Sequence, residues 1–140
     1  IGKSSKLYNQ LYQEGLLFVR PDLDYEFSKQ YAHILISGQS KKPQEIFDRL
    51  VKRIEELKQN GINQQDFERI KKKLYGDYVI EYNDVANIGR MFAADYVKGI
   101  NSFDYIDKFN EVDERYAQEI LNEVFKEENM ALSVVKGKSK

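Results

Sequence analysis

Residues 21–38, with the sequence PDLDYEFSKQYAHILISG, decide the fold class of this chain. In the first half, Leu23, Tyr25 and Phe27 alternate with polar residues, which is the pattern of a strand with one buried face. The alternation changes phase near the middle and then continues to Ser37-Gly38. We therefore predict two antiparallel strands, or one strongly bent strand, within this segment.

Helical spacing of apolar residues dominates the sequence on both sides of this segment. A short amphipathic helix is predicted from Ser4 or Ser5, which can cap it, to Gly15, which can end it. The longest predicted helix follows Pro43 and ends at Asn60-Gly61. A further helical stretch is predicted from its cap at Asn63 to Gly99, with breaks or bends at Gly76, Asn83 and Gly89. Two shorter helices are predicted at 102–111, capped by Ser102, and at 113–125, and a strand is predicted at 130–135.

This order of elements predicts an α+β fold in which helices pack on one face of a mainly antiparallel sheet. The chain has 140 residues, which is enough for one domain with a core of its own. We predict a single domain over residues 1–140. Because Ile1 is not an initiator Met, we expect a fragment, a processed product or a trimmed piece of a longer protein.

Composition restricts the partners and the cofactors. The 22 Lys and Arg residues nearly balance the 23 Asp and Glu residues, so no overall charge favours nucleic acid or an anionic membrane. There are no cysteines, which excludes disulfides, thiolate zinc sites and cysteine nucleophiles and leads us to expect a cytoplasmic location. No apolar run approaches the roughly 20 residues that span a bilayer.

Three short features could carry chemistry, and each has a simpler interpretation. Gly2-Lys3-Ser4 is similar to the end of a phosphate-binding loop, but only Ile1 precedes it and such a loop needs a preceding strand, so capping of the first helix is favoured over nucleotide binding. His33 is the one histidine and stands inside a predicted strand, where a surface or interface role is favoured over catalysis or zinc binding. The run Arg69–Lys73 lies on the polar side of a predicted helix, so a solvated face is favoured over nucleic-acid binding.

Several short motifs, taken in their order along the chain, carry a family resemblance. They are Gly2-Lys3-Ser4-Ser5-x-Leu7, Leu11 to Leu16, Ile36-Ser37-Gly38, Gly61-Ile62-Asn63, Phe67, Lys71 or Lys72, Leu74, Gly76, Tyr96-x-x-Gly99 and Leu132 to Val135. Because these motifs occur in this order, the chain resembles the C-terminal half-domains of pitrilysin- or insulinase-type zinc metallopeptidases, a group that includes mitochondrial processing peptidase. The likeness is greatest to bacterial members.

The resemblance implies the C-terminal part of a larger multidomain protein, with further strands before the first helix, so the sheet here is expected to be truncated on its N-terminal side. The zinc motif of this family, His-x-x-Glu-His, belongs to another domain, and it does not occur in this chain. We therefore expect no cofactor in this segment and zinc in the parent protein. The implied partner is a sister domain or subunit that carries the zinc motif.

The resemblance also implies a substrate-binding region. In this family the first helix lies next to the peptide-binding chamber, and its end can supply an Arg and a Tyr that contact the substrate carbonyl. Leu11 and Phe18 align with these positions, and neither side chain can donate a hydrogen bond to a developing oxyanion. If the alignment is shifted by one residue, Tyr12 lies near the first of these two positions, but the first Arg of the chain is Arg20. The residues expected at the chamber wall are Leu11, Tyr12, Phe18, Tyr25, Phe27 and Tyr31.

Two functions are compatible with these observations. The first is a non-catalytic C-terminal domain of a zinc-dependent peptidase, which shapes the substrate chamber and binds neither nucleic acid nor a membrane. This segment alone would be inactive. The alternative is a protein-interaction module that has the peptidase fold but no peptidase activity, with some of the ten tyrosines exposed as its interface.

Overall fold

A computed structural model, which describes residues 5–137, contains the predicted mixture of helices and antiparallel strands. The elements are α1 (Lys6–Gln13), β1 (Asp22–Phe27), β2 (Ala32–Ser37), α2 (Pro43–Asn60), α3 (Gln64–Glu81), α4 (Val85–Lys98), α5 (Asp104–Glu111), α6 (Glu114–Val124) and a 3-10 turn (Glu127–Asn129). The α+β class is therefore confirmed. The Gly2-Lys3-Ser4 stretch lies outside the described residues.

Backbone contacts group the described residues into two compact units. The first unit holds residues 5–59 and 124–137 and includes α1, both strands and nearly all of α2. The second unit is Asn60–Glu123 and includes α3, α4, α5 and nearly all of α6. The single domain over residues 1–140 stays a prediction.

The core of the first unit forms where α1 ends. The Ser5 hydroxyl accepts a hydrogen bond from the Tyr8 amide at 3.1 Å, which caps the helix as predicted. After Gly15 turns the chain with a φ of 68°, the Leu16 and Leu17 amides both donate to the Leu11 carbonyl. These bonds bring four leucines into one buried cluster, with one aromatic and two aliphatic side chains packed against it. The members are Leu7, Leu11, Leu16 and Leu17, and then Tyr8, Ile46 and Leu50.

The two strands form an antiparallel hairpin. Asp22 pairs with Ser37 at one end and Phe27 pairs with Ala32 at the other. The Ser28 amide donates to the Tyr31 carbonyl at 2.8 Å and closes the connection. The phase change seen in the sequence is therefore this turn, and the bent single strand is not formed.

Side-chain caps and glycines set the helix ends of the second unit. The Asn63 side chain accepts from the Asp66 amide at the start of α3, and the Asp84 side chain accepts from the Asn87 amide at the start of α4. Gly99, with a φ of 77°, ends α4. The Ile62 amide donates to the Gln118 side chain at 3.0 Å and so ties the segment before α3 to α6.

Two sequence predictions about the helices of this unit are wrong in detail. The predicted break at Asn83 is confirmed, but α3 continues without a break through Gly76 and α4 through Gly89. A Cβ at either glycine would meet open space, so these positions carry only the modest helix penalty of glycine, about 1 kcal/mol. Ser102 does not cap α5, whose N-cap is Phe103 without a side-chain hydrogen bond, because the Ser102 hydroxyl donates to Asp95 instead.

The predicted strand at 130–135 is also not formed. Met130 has extended backbone angles, but residues 130–137 are assigned to no strand. An extended segment becomes a strand only when a second strand accepts its hydrogen bonds. Within residues 5–137, the sheet consists of β1 and β2 alone.

Candidate functional site

The hairpin of the first unit presents two chemically different faces. Directly paired residues in an antiparallel sheet point to the same side, so the register assigns every side chain to a face. The residues of the apolar face are Leu23, Tyr25, Phe27, Ala32, Ile34 and Ile36. The residues of the acidic face are Asp22, Asp24, Glu26, His33, Leu35 and Ser37.

Most of the apolar face is open, because four of its six side chains are exposed and only Phe27 and Ile36 are half-buried. Leu23 is 61% exposed and Tyr25 is 62% exposed, although an alternating strand usually buries such residues. The rings of Tyr25 and Phe27 stack with centroids 5.4 Å apart. A two-stranded hairpin is marginal in water without a hydrophobic face packed on something else, so this face is suited to contact with another chain segment.

The acidic face carries three carboxylates in a row along β1. Asp22, Asp24 and Glu26 are all exposed. The basic residue of this face is His33, whose Nε2 lies 3.6 Å from a Glu26 carboxylate oxygen. His33 lies at the surface, as predicted, with half of its side chain exposed.

The six residues expected at the chamber wall do not share one surface. Tyr25 and Phe27 lie together on the apolar face. Tyr31 stacks on His33, with ring centroids 5.9 Å apart, and so belongs with the opposite side of the hairpin. Tyr12 is exposed and stacks on Tyr8 of α1.

Leu11 and Phe18, which the resemblance aligns with an Arg and a Tyr of the family, have different surroundings. Leu11 is fully buried in the leucine cluster, where it serves packing. Phe18 is 53% exposed, with the Lys41 ammonium 5.9 Å from its ring centroid. The chamber-wall role of all six residues stays a prediction.

The structure brings one arginine to the end of α1 that sequence reasoning missed. Arg49 of α2 lies 2.6 Å from the Glu14 carboxylate and 2.8 Å from that of Glu45. The hydrogen bond to Glu14 is the main reason that the pKa of Arg49 is raised. Because both carboxylates already accept from this guanidinium, Arg49 braces α1 against α2 within the first unit.

Comparison with known proteins decides the family. The family model of the peptidase M16 inactive domain matches residues 2–74, just over half of the 140 residues. The chain belongs to this family. The resemblance to the non-zinc-binding C-terminal domain of these peptidases is thereby confirmed.

The fold comparison agrees with this assignment. The M16 domain described here is similar to a crystal structure from Alicyclobacillus acidocaldarius described as an M16-like peptidase, with a TM-score of 0.85 and 22% sequence identity. The match covers 92% of this chain and 31% of that chain, so the M16 domain spans about a third of the length of that protein. A search of the curated proteins found no match.

A buried polar cluster lies in the second unit of the M16 domain. The Ser102 hydroxyl donates to the Asp95 carboxylate at 2.6 Å, and both residues are buried. The Tyr78 hydroxyl donates to the Ser102 carbonyl at 3.0 Å, which uses its one proton. The hydroxyl of Tyr82, 2.6 Å from that of Tyr78, therefore donates to it.

This cluster serves packing rather than catalysis. Ser102 is 1% exposed, so a substrate cannot reach its hydroxyl, and the second unit contains no histidine to act as its base. Burial, followed by the hydrogen bond with Tyr82, raises the pKa of Tyr78. A sequence signal for Asp95 did exist, because it interrupts the apolar run Met91 to Val97.

The basic run of α3 is largely engaged within the second unit. Arg69 pairs with Asp66, and Lys73 pairs with Asp77. The Lys71 ammonium donates to the carbonyls of Asn110 and Val112 at the end of α5. These contacts favour the solvated helical face over a phosphate-binding surface.

Neither a metal site nor a membrane-spanning helix occurs in the described part of the chain. No three His, Asp or Glu side chains within residues 5–137 are grouped so that they could hold a metal ion. None of the helices in that range is both long and apolar enough to cross a bilayer.

Proposed function

We propose that this M16 domain is the non-catalytic C-terminal domain of a zinc-dependent peptidase, in which it packs against a zinc-binding sister domain and helps to enclose the peptide substrate. The match of the inactive-domain family model to residues 2–74 carries this proposal. The proposal includes a substrate chamber, zinc in the parent protein, and a bacterial protein located in the cytoplasm.

The chemistry of the described residues supports a role without catalysis. Hydrolysis through a zinc-bound water needs an open metal site with about three protein ligands, and the ligands would come from the sister domain. The positions aligned with the Arg and Tyr of the family are Leu11 and Phe18, so these donors too would come from elsewhere in the parent. The proposed roles of this chain are therefore to pack against the sister domain, to shape the chamber and to hold the substrate.

The exposed apolar face of the hairpin supports a contact with another part of the assembly. Single exposed apolar residues are ordinary on protein surfaces, whereas contiguous apolar patches mark interaction sites. The six side chains of this face are contiguous by register. In the proposed assembly this face lies against the sister domain or towards the chamber.

The same observation supports the alternative of a protein-interaction module with the peptidase fold and no activity. In that case Tyr12, Tyr25 and Tyr31, each more than half exposed, would form part of the interface. The two functions differ in whether the parent holds zinc and cleaves peptides.

Zinc-dependent cleavage of a quenched fluorescent peptide library by the intact parent protein tests the proposal. We expect the parent to cleave the library, to lose activity when a chelator removes zinc, and to recover it when zinc is restored. The 140-residue chain alone should not cleave. A parent that neither holds zinc nor cleaves any peptide would favour the interaction module.

A further inference from the structure

Asn60 and Gly61 form the one Asn-Gly pair of the chain, and they lie where α2 ends. Asn60 is the last residue of the helix, and its side chain is exposed. Gly61 has a φ of 81°, and a Cβ at this position would meet open space. The last turn of a helix frays and opens at little cost in free energy. This pair can therefore leave the helical conformation while the rest of α2 stays folded.

An asparagine side chain can react with the backbone that follows it. The amide nitrogen of the next residue loses its proton and attacks the side-chain Cγ, so that a new C–N bond forms and the side-chain nitrogen leaves as ammonia. Water then opens the cyclic succinimide. Opening at Cγ gives aspartate, and opening at the backbone carbonyl gives isoaspartate, in which the main chain runs through the former side chain. A following glycine favours the attack, because it has no Cβ to shield its nitrogen and its backbone is the least restricted.

We propose that Asn60 is a site of spontaneous deamidation, in which the Gly61 nitrogen displaces ammonia and water completes the conversion to aspartate and isoaspartate. The reactants are this chain and water, so the reaction requires neither an enzyme nor a cofactor. The proposal is independent of the proposed peptidase function. Within residues 5–137, no hydrogen bond holds the Asn60 side chain away from the Gly61 nitrogen.

The pair Asn101-Ser102 provides a comparison within the same chain. Ser102 is also small, but it is buried. The Asn101 side chain donates to the Asp104 carboxylate at 2.8 Å and accepts from the Phe103 amide at 3.3 Å. Both hydrogen bonds must open before the attack, so the fold should slow the reaction at Asn101 by roughly tenfold or more. Asn60 has no such restraint among the described residues.

Deamidation would change both the charge and the backbone at the end of α2. A carboxylate at position 60 would lie at the negative end of the helix dipole, where an anion is destabilising. Isoaspartate would also add one carbon atom to the main chain shortly before Ile62, whose amide donates to the Gln118 side chain at 3.0 Å. The second unit begins at Asn60, so this change lies at the first residue of that unit. We expect the hydrogen bond of Ile62 to open more often in the isoaspartate form.

Peptide mapping of the intact parent protein by mass spectrometry tests the proposal. The protein is incubated for several days in mildly alkaline buffer, which favours the deprotonated amide nitrogen, and is then digested at acidic pH so that the digestion itself causes no deamidation. Deamidated fragments are about 1 Da heavier, and methylation by an isoaspartyl methyltransferase detects the isoaspartate. A synthetic peptide with the sequence of residues 56–65 serves as the reference without a fixed structure.

Two variants complete the test. The decisive variant is Asn60→Gln, because the longer side chain would have to close a larger and less favourable ring. The matched control is Asn9→Gln, which removes another exposed asparagine, one that lies within α1 and is followed by Gln10. A third variant, Asn60→Asp, introduces the charge of the product without the added carbon atom in the main chain.

We expect deamidation at Asn60 to be at least about tenfold faster than at Asn101, and within about tenfold of the rate in the peptide. Asn60→Gln should abolish the isoaspartate signal, and Asn9→Gln should leave it unchanged. Hydrogen exchange of the Ile62 amide should be faster in the isoaspartate form than in the unmodified protein, and Asn60→Asp should change it less.

Three outcomes would overturn the proposal. One is a rate at Asn60 no greater than that at Asn101. Another is a rate more than about a hundredfold below that of the peptide, which would mean that α2 holds the pair in the helical conformation. The third is an isoaspartate signal that persists in Asn60→Gln. Unchanged exchange of the Ile62 amide would overturn the predicted effect on the backbone. None of these results depends on zinc or on peptide cleavage, so a failure here is distinct from a failure of the proposed function.

Discussion

Replacing Leu11 by Ala should destabilise the first unit strongly. Leu11 is fully buried, and it packs with three other buried leucines. The substitution removes three carbon atoms, worth about 2.4 kcal/mol at about 0.8 kcal/mol per buried methylene group. The cavity left behind adds to this loss, so we expect a total of about 3–4 kcal/mol.

The matched control is Leu23→Ala on the hairpin. Leu23 is 61% exposed, so the same chemical change should cost less than about 1 kcal/mol. Urea unfolding followed by far-ultraviolet circular dichroism gives the two free energies of unfolding. Hydrogen exchange at Leu16 and Leu17, whose amides donate to the Leu11 carbonyl, reports on the first unit directly. Equal costs for the two substitutions would refute the packing role of Leu11, and an unchanged stability with altered peptide affinity would point to the chamber wall instead.

Three further predictions concern the glycines and the second unit. Gly61 has a φ of 81° and Gly76 lies within α3, and a Cβ at either would meet open space. Gly61→Ala should therefore destabilise by about 1 kcal/mol or more, and Gly76→Ala should stabilise by about 0.5–1 kcal/mol in urea unfolding. If Gly76→Ala also lowered the free energy of unfolding, the helical position of Gly76 would be contradicted. Ser102→Ala should lower the free energy of unfolding by about 1–3 kcal/mol, because it leaves the buried Asp95 carboxylate without its donor. Ser102→Ala and Asp95→Ala together should lower it by less than the sum of the two single changes. An additive double-mutant cycle would contradict this coupling. The pKa of Tyr78 is raised in the folded state, so its contribution to stability is complete below the ordinary tyrosine pKa of 10.0 and is lost as the pH rises above it. Tyr78→Phe should lack this alkaline component in thermal melts between pH 8 and pH 11, and an unchanged pH dependence would show that another group causes it.

Much of the architecture could be read from patterns between near neighbours. The alternation of residues 21–38, the cap at Ser5 and the stop at Gly99 each depend on residues within a few positions of one another, and each appears in the structure. Backbone hydrogen bonding within a helix turn or a tight hairpin is local, so these predictions needed no knowledge of the fold. The order of short motifs also sufficed for the family, which the match over residues 2–74 confirms.

Two of the errors arise where a residue has a choice between a local and a distant partner. Ser102 could cap α5, but its hydroxyl reaches the Asp95 carboxylate on α4, and a hydrogen bond to a buried charge is stronger than an exposed cap. Residues 130–135 have the composition of a strand, but no strand within the described residues pairs with them. Local pattern cannot show which distant group is present.

The sequence by itself determined the fold class, the family and the lack of a His-x-x-Glu-His motif in this chain, and the structure decided that residues 21–38 form a hairpin rather than one bent strand. Only the tertiary structure decided that Leu11 is buried, that Arg49 reaches Glu14 at the end of α1, and that Tyr31 lies apart from Tyr25. The physical reason is that burial and ion pairing depend on contacts between residues far apart in the chain. Caps, turns and periodicity depend on the few residues on either side.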